Sequence, residues 1–275
     1  MTAEEREQLE ALCRRGRRLV IETVRHAGAG HVGGPLSAME ILVTLYFKVL
    51  RVDPARPRWP ERDRFVLSKG HASVGLYTVM ALRGYLPVEE LKTFDHMGSR
   101  LQGHPDMTAL EGLDMSTGSL GQGLSVAVGM ALGSMRLGTG VRVFCLLGDG
   151  ECQEGQVWEA AHSAASLGLG NLVAVVDRNG LPQFAWAGRR RGEVVAWDLG
   201  RRFCAFGWQV REVDVHDVGA LAQALVPSPD GPVAVIARTV KGKGVSFMEN
   251  DYSWHSRVAT AEELARAIAE LEAPA

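Results

Sequence analysis

The chain has 275 residues, 46% of them hydrophobic and 23% charged, which supports a full apolar core and excludes a disordered or low-complexity chain. Lysine and arginine (30) nearly balance aspartate and glutamate (32), so the net charge is -2 and no basic excess exists to neutralise a nucleic-acid backbone. No apolar run approaches the ~20 residues that span a bilayer, and Cys13, Cys145, Cys152 and Cys204 form no CxxC pair for zinc or a disulfide framework, so a cytoplasmic protein with neither membrane nor nucleic-acid partner is expected.

In chain order, Thr2 and Glu5 have capping-box spacing, and Leu9, Leu12, Leu19, Val20 and Thr23 recur near helical period, which predicts an amino-terminal helix. A second box, Ser37 with Glu40, predicts that another helix begins at "SAMEILVTLYFKVL". Between the two lies "HAGAGHVGGP", a glycine-rich turn with two histidines. From residue 64 the pattern becomes strand, loop, helix: "RFVLS" then "KGHAS", "VRVFCLL" then "GDGE", "NLVAVVD" then "RNG", "WQVREVD" then "VHD", and "PVAVIARTV" then "KGKG". Short β-branched runs alternating with helical stretches predict one α/β domain over 1–275, a doubly wound, mostly parallel sheet with helices on both faces. Ligands of such sheets collect at the carboxyl ends of the strands, where these glycine-rich turns fall.

Asp149 and Asn179 lie 30 positions apart, each just past a predicted strand. A single strand-helix-strand unit of that length makes the two strands parallel members of one sheet, so both side chains project from the same edge. A carboxylate and an amide carbonyl are hard oxygen donors suited to Mg²⁺ or Ca²⁺, with phosphate oxygens completing the shell. Gly148 and Gly150 flank Asp149, which predicts a tight turn whose N–H groups approach a diphosphate. Neither GxGxxG nor GxxxxGK[ST] occurs, which disfavours ordinary nicotinamide and ATP sites.

These residues resemble the thiamine diphosphate motif of the transketolase family, and the likeness extends along nearly the whole chain. "GAGHVGGPLSAMEIL" is similar to that family's SGHPG turn, "DRFVLSKGHAS" to its GH loop, "LQGHPD" to its GHP loop and "STGSLGQGLSVAVGMALG" to its glycine-rich cofactor segment. "RTVKGKGVSFMENDYSWHS" is similar to the stretch that closes the diphosphate-binding domain. Val32 stands where the family has proline, Ser256 follows His255 in place of glycine, and "GLPQFAWAGRRRG" departs from the family pattern after Asn179.

The resemblance implies that Asp149, Asn179 and the main-chain carbonyl of Leu181 hold a metal, Mg²⁺ or Ca²⁺, and that thiamine diphosphate also meets His71, Gly118, Ser119, Leu120, Gly121, Gly148, Gly150, Glu151 and His255. It implies catalytic roles for four histidines: His71 and His255 near the diphosphate and reacting carbon, His31 and His104 on substrate hydroxyls or carbonyl. Gly123 would share the close approach of Gly118 and Gly121 to the cofactor, and Glu154 would link active sites between subunits. His26, His96, His162 and His216 match no motif. The implied activity is transfer of a two-carbon ketol unit from a ketose to an aldose. Because nothing in the sequence corresponds to the pyrimidine-binding domain, a separate chain carrying it is the expected partner, in an α2β2 heterotetramer. Two alternatives stay open: a component of another thiamine diphosphate enzyme acting on 2-oxo acids, or a non-catalytic regulatory subunit.

Overall fold

The computed structural model describes residues 1–181 and 198–273, so the divergent stretch with Pro182, Phe184 and Trp186, and the basic run at 188–192, lie outside the described residues. Helix α1 (Ala3–Ala27) starts at a reciprocal Thr2–Glu5 capping box and ends at Gly28, whose φ of 71° is open to glycine at little cost. Helices α2 (Gly33–Ser37) and α3 (Met39–Thr44) follow, then strand β1 (Arg64–Leu67) and helix α4 (Ser73–Arg83). A long irregular passage leads to α5 (Gln122–Leu137), after which strands and helices alternate: β2 (Val143–Gly148), α6 (Gly155–Ser166), β3 (Leu172–Arg178), α7 (Leu199–Ala205), β4 (Gln209–Asp214), α8 (Val218–Ala224), β5 (Val233–Arg238) and α9 (Ala261–Glu272). All five runs read as strands from the sequence form strands.

The sheet is wholly parallel, in the order β1-β2-β3-β5-β4. Strands β1, β2, β3 and β5 are largely apolar on both faces because both are covered, whereas the edge strand β4 carries Gln209, Arg211, Glu212 and Asp214 and is fully buried only at Val213. Phe144, Leu146, Val173, Val175, Val233 and Val235 pack with Leu9 of α1, Ile41 of α3, Tyr77 of α4, Leu221 of α8 and Leu271 of α9. The alternate residues Val143, Cys145, Leu147, Leu172, Ala174 and Ile236 pack with Leu124 of α5, Val157 of α6 and Phe203 of α7. This two-sided burial explains why the covered strands read as nearly continuous apolar runs.

The capping box expected at Ser37 and Glu40 does not form. Ser37 is the last residue of α2, and its hydroxyl donates to the Gly34 carbonyl and to Asp177. Glu40 instead turns into the core, where Arg17 of α1 pairs with it and His216 Nδ1 lies 3.2 Å from its Oε1. A buried cation and imidazole outcompete an N-terminal amide as partners for that carboxylate. Among the described residues, no helix is long and apolar enough to cross a membrane, and all four cysteines are free.

Candidate active site at the carboxyl edge of the sheet

Strands β2 and β3 are neighbours in register, Gly148 opposite Asp177, so the chain leaves both at the same edge with Asp149 and Asn179 just beyond it. The Asp149 carboxylate accepts from Gly150 N at 2.8 Å and from Gly180 N at 2.6 Å, which ties the two turns together. The Asn179 amide is oriented from both ends: its Nδ2 donates to Asp177 Oδ2 at 3.4 Å, and its Oδ1 accepts from Leu181 N at 3.1 Å. The Leu181 carbonyl accepts from Lys241 Nζ at 2.8 Å. Burial and the neighbouring Asp177 carboxylate both push the Asp149 carboxyl upward, so added positive charge there would relieve a real cost. A carboxylate, an amide oxygen and a main-chain carbonyl are the donor set of a hard divalent cation, and the residues fit one.

The glycines divide by physical reason. Gly118 (φ 153°) and Gly121 (φ 84°) need their backbone freedom, and a Cβ on Gly118 would come within 3.2 Å of the His104 ring. The chain turns at Asp149 and Gly150 as expected, but neither Gly148 nor Gly150 has positive φ, so that turn does not draw on their left-handed freedom. At buried Gly148 a Cβ would make ordinary van der Waals contact with Glu151 Cβ at 3.8 Å and Lys69 Cβ at 3.9 Å, so sterics alone do not demand glycine there. Gly123 has a packing role: its Cβ would fall 2.4 Å from Ser68 Oγ, so helix α5 lies directly on the turn after β1. Ser119 and Leu120, on the turn into α5, are exposed.

Glu151 is buried, and both its oxygens are used within the chain. Oε1 accepts from Ser68 Oγ at 2.5 Å and Gly121 N at 2.8 Å; Oε2 accepts from Gly148 N at 3.0 Å. It joins the ends of β1 and β2 to the start of α5, and so shapes the edge without offering a free group to a cofactor. Glu154, by contrast, is exposed at the start of α6, beside Gly121.

The four motif histidines come from four separate loops and meet. The His31 ring centroid is 5.2 Å from that of His71, 6.3 Å from His104 and 5.1 Å from His255, and His71 lies 5.2 Å from His255. Burial, followed by the charge of Lys69, lowers the His71 pKa to about 2; burial, followed by Lys241, lowers that of His255 to about 3. His31 is lowered as well, by burial and then by His104. These three rings are therefore neutral at physiological pH. The other histidines stand apart: His26 and His96 pair edge to face on the surface, His162 is exposed, and His216 contacts Glu40.

Sequence reasoning assigned no role to three buried residues that organise the edge. Asp177, 0% exposed, accepts from Ser37, Lys69, Asn179 and Thr239, side chains of four different segments. Lys69, 1% exposed, also reaches the Gly34 carbonyl at 3.4 Å. Lys241 bridges Leu181 to His255 Nδ1 at 2.9 Å. The available signal was a lysine directly before the glycine of "KGH" and at the head of "KGKG", beside aspartate in "VVDRNG". A further buried hydroxyl, Thr117 Oγ1, has no protein partner and lies 2.7 Å from where a Cβ on Gly70 would be.

The family model for the transketolase thiamine diphosphate binding domain matches residues 9–272. The chain belongs to the transketolase family. It is 41% identical over 260 residues to the 6-deoxy-6-sulfo-D-fructose transketolase subunit SqwG of a Clostridium species, covering 93% of each chain. It is 39% identical over 269 residues to an apulose-4-phosphate transketolase subunit of Phocaeicola vulgatus, covering 96% of this chain and 94% of that one. Among solved structures, the transketolase of Campylobacter jejuni superposes with a TM-score of 0.87 at 31% identity, covering 98% of this chain and 43% of that chain. The chain thus corresponds to the thiamine diphosphate-binding part of transketolase, spanning about two fifths of such longer relatives.

Proposed function

We propose that this chain is the diphosphate-binding subunit of a two-chain transketolase, a single domain over residues 1–275 that transfers a two-carbon ketol unit from a ketose or its phosphate to an aldose. The observation that carries the reading is the convergence of His31, His71, His104 and His255, with centroids of the contacting pairs 5.1–6.3 Å apart, from loops of the sheet's carboxyl edge. The relatives whose length this chain matches bear the names of transketolase subunits, which favours a separate partner over a longer single chain.

When bound, thiamine diphosphate supplies the nucleophilic carbon that can carry the two-carbon unit between sugar carbonyls. This chain's own work is binding and orientation. Asp149, Asn179 and the Leu181 carbonyl would hold Mg²⁺, with Ca²⁺ an acceptable substitute, and Gly118, Ser119, Leu120, Gly121, Gly148 and Gly150 would let main chain approach the diphosphate. His31 and His104 would hydrogen-bond substrate hydroxyls, and His71 and His255 would stand nearer the reacting carbon. The partner would carry the pyrimidine-binding domain, with Glu154 reaching between active sites in an α2β2 assembly. The four free thiols agree with a cytoplasmic setting.

The test is two-carbon transfer from ketose to aldose phosphate, followed with this chain, with the candidate partner, and with both, in the presence of thiamine diphosphate and Mg²⁺. Transfer by the mixture alone supports the reading. Consumption of 2-oxo acids and not of ketoses by a well-formed complex would replace it with a decarboxylating activity, and no turnover of either with a regulatory one.

A further inference from the structure

The loop that leads into His104 is closed by one carboxylate. We propose that Asp95 is a positioning residue for His104, holding the main chain from which that ring reaches the histidine cluster. The use of His104 as a sugar contact rests on the transketolase reading; its positioning by Asp95 does not.

Asp95 follows the buried Phe94, and its backbone lies in the left-handed region with φ 58°. Aspartate tolerates that conformation better than most side chains, yet glycine would adopt it at less cost. What aspartate adds is an acceptor. Its main-chain N donates to the Leu101 carbonyl at 2.8 Å, which closes the loop, and its Oδ1 accepts from Gly103 N at 3.2 Å, one residue before His104. A Cβ on Gly103 would fall 3.0 Å from that oxygen, so glycine at this position makes room for the carboxylate.

Helix α4 holds the other side of the same stretch. Tyr77 OH donates to the Gln102 carbonyl at 2.9 Å, and Ser73 Oγ to the Gly103 carbonyl at 2.7 Å. The peptide between Gln102 and Gly103 is thus gripped at its carbonyl by Tyr77 and at its N–H by Asp95, and the next peptide, which carries the His104 nitrogen, is gripped by Ser73. Among the described residues, no hydrogen bond fixes a ring nitrogen of His104; the ring lies close to Gly118 and 6.3 Å from the His31 ring. Its place in the cluster is therefore set by main chain. Both carbonyls are held by a helix, whereas the Gly103 amide depends on Asp95, a residue kept in a conformation that costs free energy, as is common beside functional sites.

The experiment compares Asp95→Gly with Asp95→Asn in the complex of this chain, labelled in histidine, and its partner, by NMR contacts between ring protons and by two-carbon transfer; the His104 signals are assigned by their loss in His104→Ala. Asp95→Gly accepts the φ but has no acceptor. In it the contact between the His31 and His104 rings weakens while that between His31 and His71, 5.2 Å apart, persists. Its unfolding midpoint stays near that of the wild type, and kcat/KM for the sugar falls on the order of 10-fold, chiefly through KM. Asp95→Asn, whose amide oxygen still accepts in the left-handed region, keeps both the contact and the kinetics. In a His104→Ala background Asp95→Gly has no further effect. An unchanged ring contact in a folded Asp95→Gly, an equal loss in Asp95→Asn, or the same loss without the His104 ring overturns the proposal. So does an Asp95→Gly chain that fails to fold, because the role would then be structural. The ring contacts need no turnover, so a wild-type complex that shows them without two-carbon transfer would count against the transketolase reading alone.

Discussion

The Glu151 carboxylate takes the Ser68 hydroxyl at 2.5 Å, which links the turn after β2 to the turn after β1 through a bond buried from solvent. With the Gly121 and Gly148 amides on the same carboxylate, three segments of the candidate site depend on one side chain. Glu151→Gln keeps the shape but places an NH₂ where an acceptor stood, and a main-chain N–H cannot turn away as a hydroxyl can. The expected cost is about 1–3 kcal/mol, measured by urea unfolding, together with weaker thiamine diphosphate binding, since Gly121 and Gly148 lose their common anchor.

How far this site could be read from sequence depends on what each signal reports. Four of the strands were legible because two-sided burial demands nearly unbroken apolar runs, the polar edge strand β4 by its two valines, Val210 and Val213, and Asp149 and Asn179 because a strand-helix-strand unit fixes the edge from which both emerge. The roles of Glu151, Asp177, Lys69 and Lys241 were not legible, because each depends on a partner from a distant loop; Lys69 and Asp177 are 108 positions apart. Local pattern also misled at Ser37 and Glu40, where correct spacing for a cap coexists with stronger tertiary partners. Gly123 looked like its neighbours in "GSLGQG", yet only the structure separates its packing role against Ser68 from the backbone freedom of Gly121.

That distinction predicts different behaviour at two glycines. Gly123→Ala forces a Cβ to 2.4 Å from Ser68 Oγ and 2.7 Å from Ser68 Cα, so α5 must shift as a body. A loss of about 1–3 kcal/mol is expected from overpacking. Gly118→Ala strains a φ of 153° and presses on the His104 ring, so its larger effect should be on KM for the sugar. Thermal unfolding and steady-state kinetics of the two variants distinguish these cases.

Arg17 and Glu40 form a buried ion pair, which also receives His216. Burial alone would raise the Glu40 pKa, but Arg17 and His216 outweigh it and lower the value from 4.5 to about 2. A lowered carboxyl pKa contributes stability that is present above pH 4.5 and lost as pH falls toward 2. Arg17→Met strands the carboxylate and should cost about 3–5 kcal/mol at neutral pH. Adding Glu40→Leu to Arg17→Met should restore much of that loss in chemical denaturation.

The histidine cluster has the same acid sensitivity for the opposite charge type. His71 and His255 are pushed from 6.5 down to about 2 and about 3, so the unfolded chain takes up protons that the folded one refuses. Their contribution is present above pH 6.5 and declines as pH falls below it. NMR titration should show the ring signals of both flat from about pH 8 to about pH 5.

The whole reading turns on whether the edge formed by β2 and β3 holds a divalent cation and, through it, a diphosphate. Calorimetric titration of thiamine diphosphate into the complex of this chain and its partner, with Mg²⁺ and then with Mg²⁺ removed by chelation, decides the point. Saturable, Mg²⁺-dependent binding is expected, abolished by Asp149→Ala or Asn179→Ala while the complex stays folded. Equal binding without the metal, or undiminished binding by the folded Asp149→Ala complex, would show that the cofactor is not held at this edge through a cation.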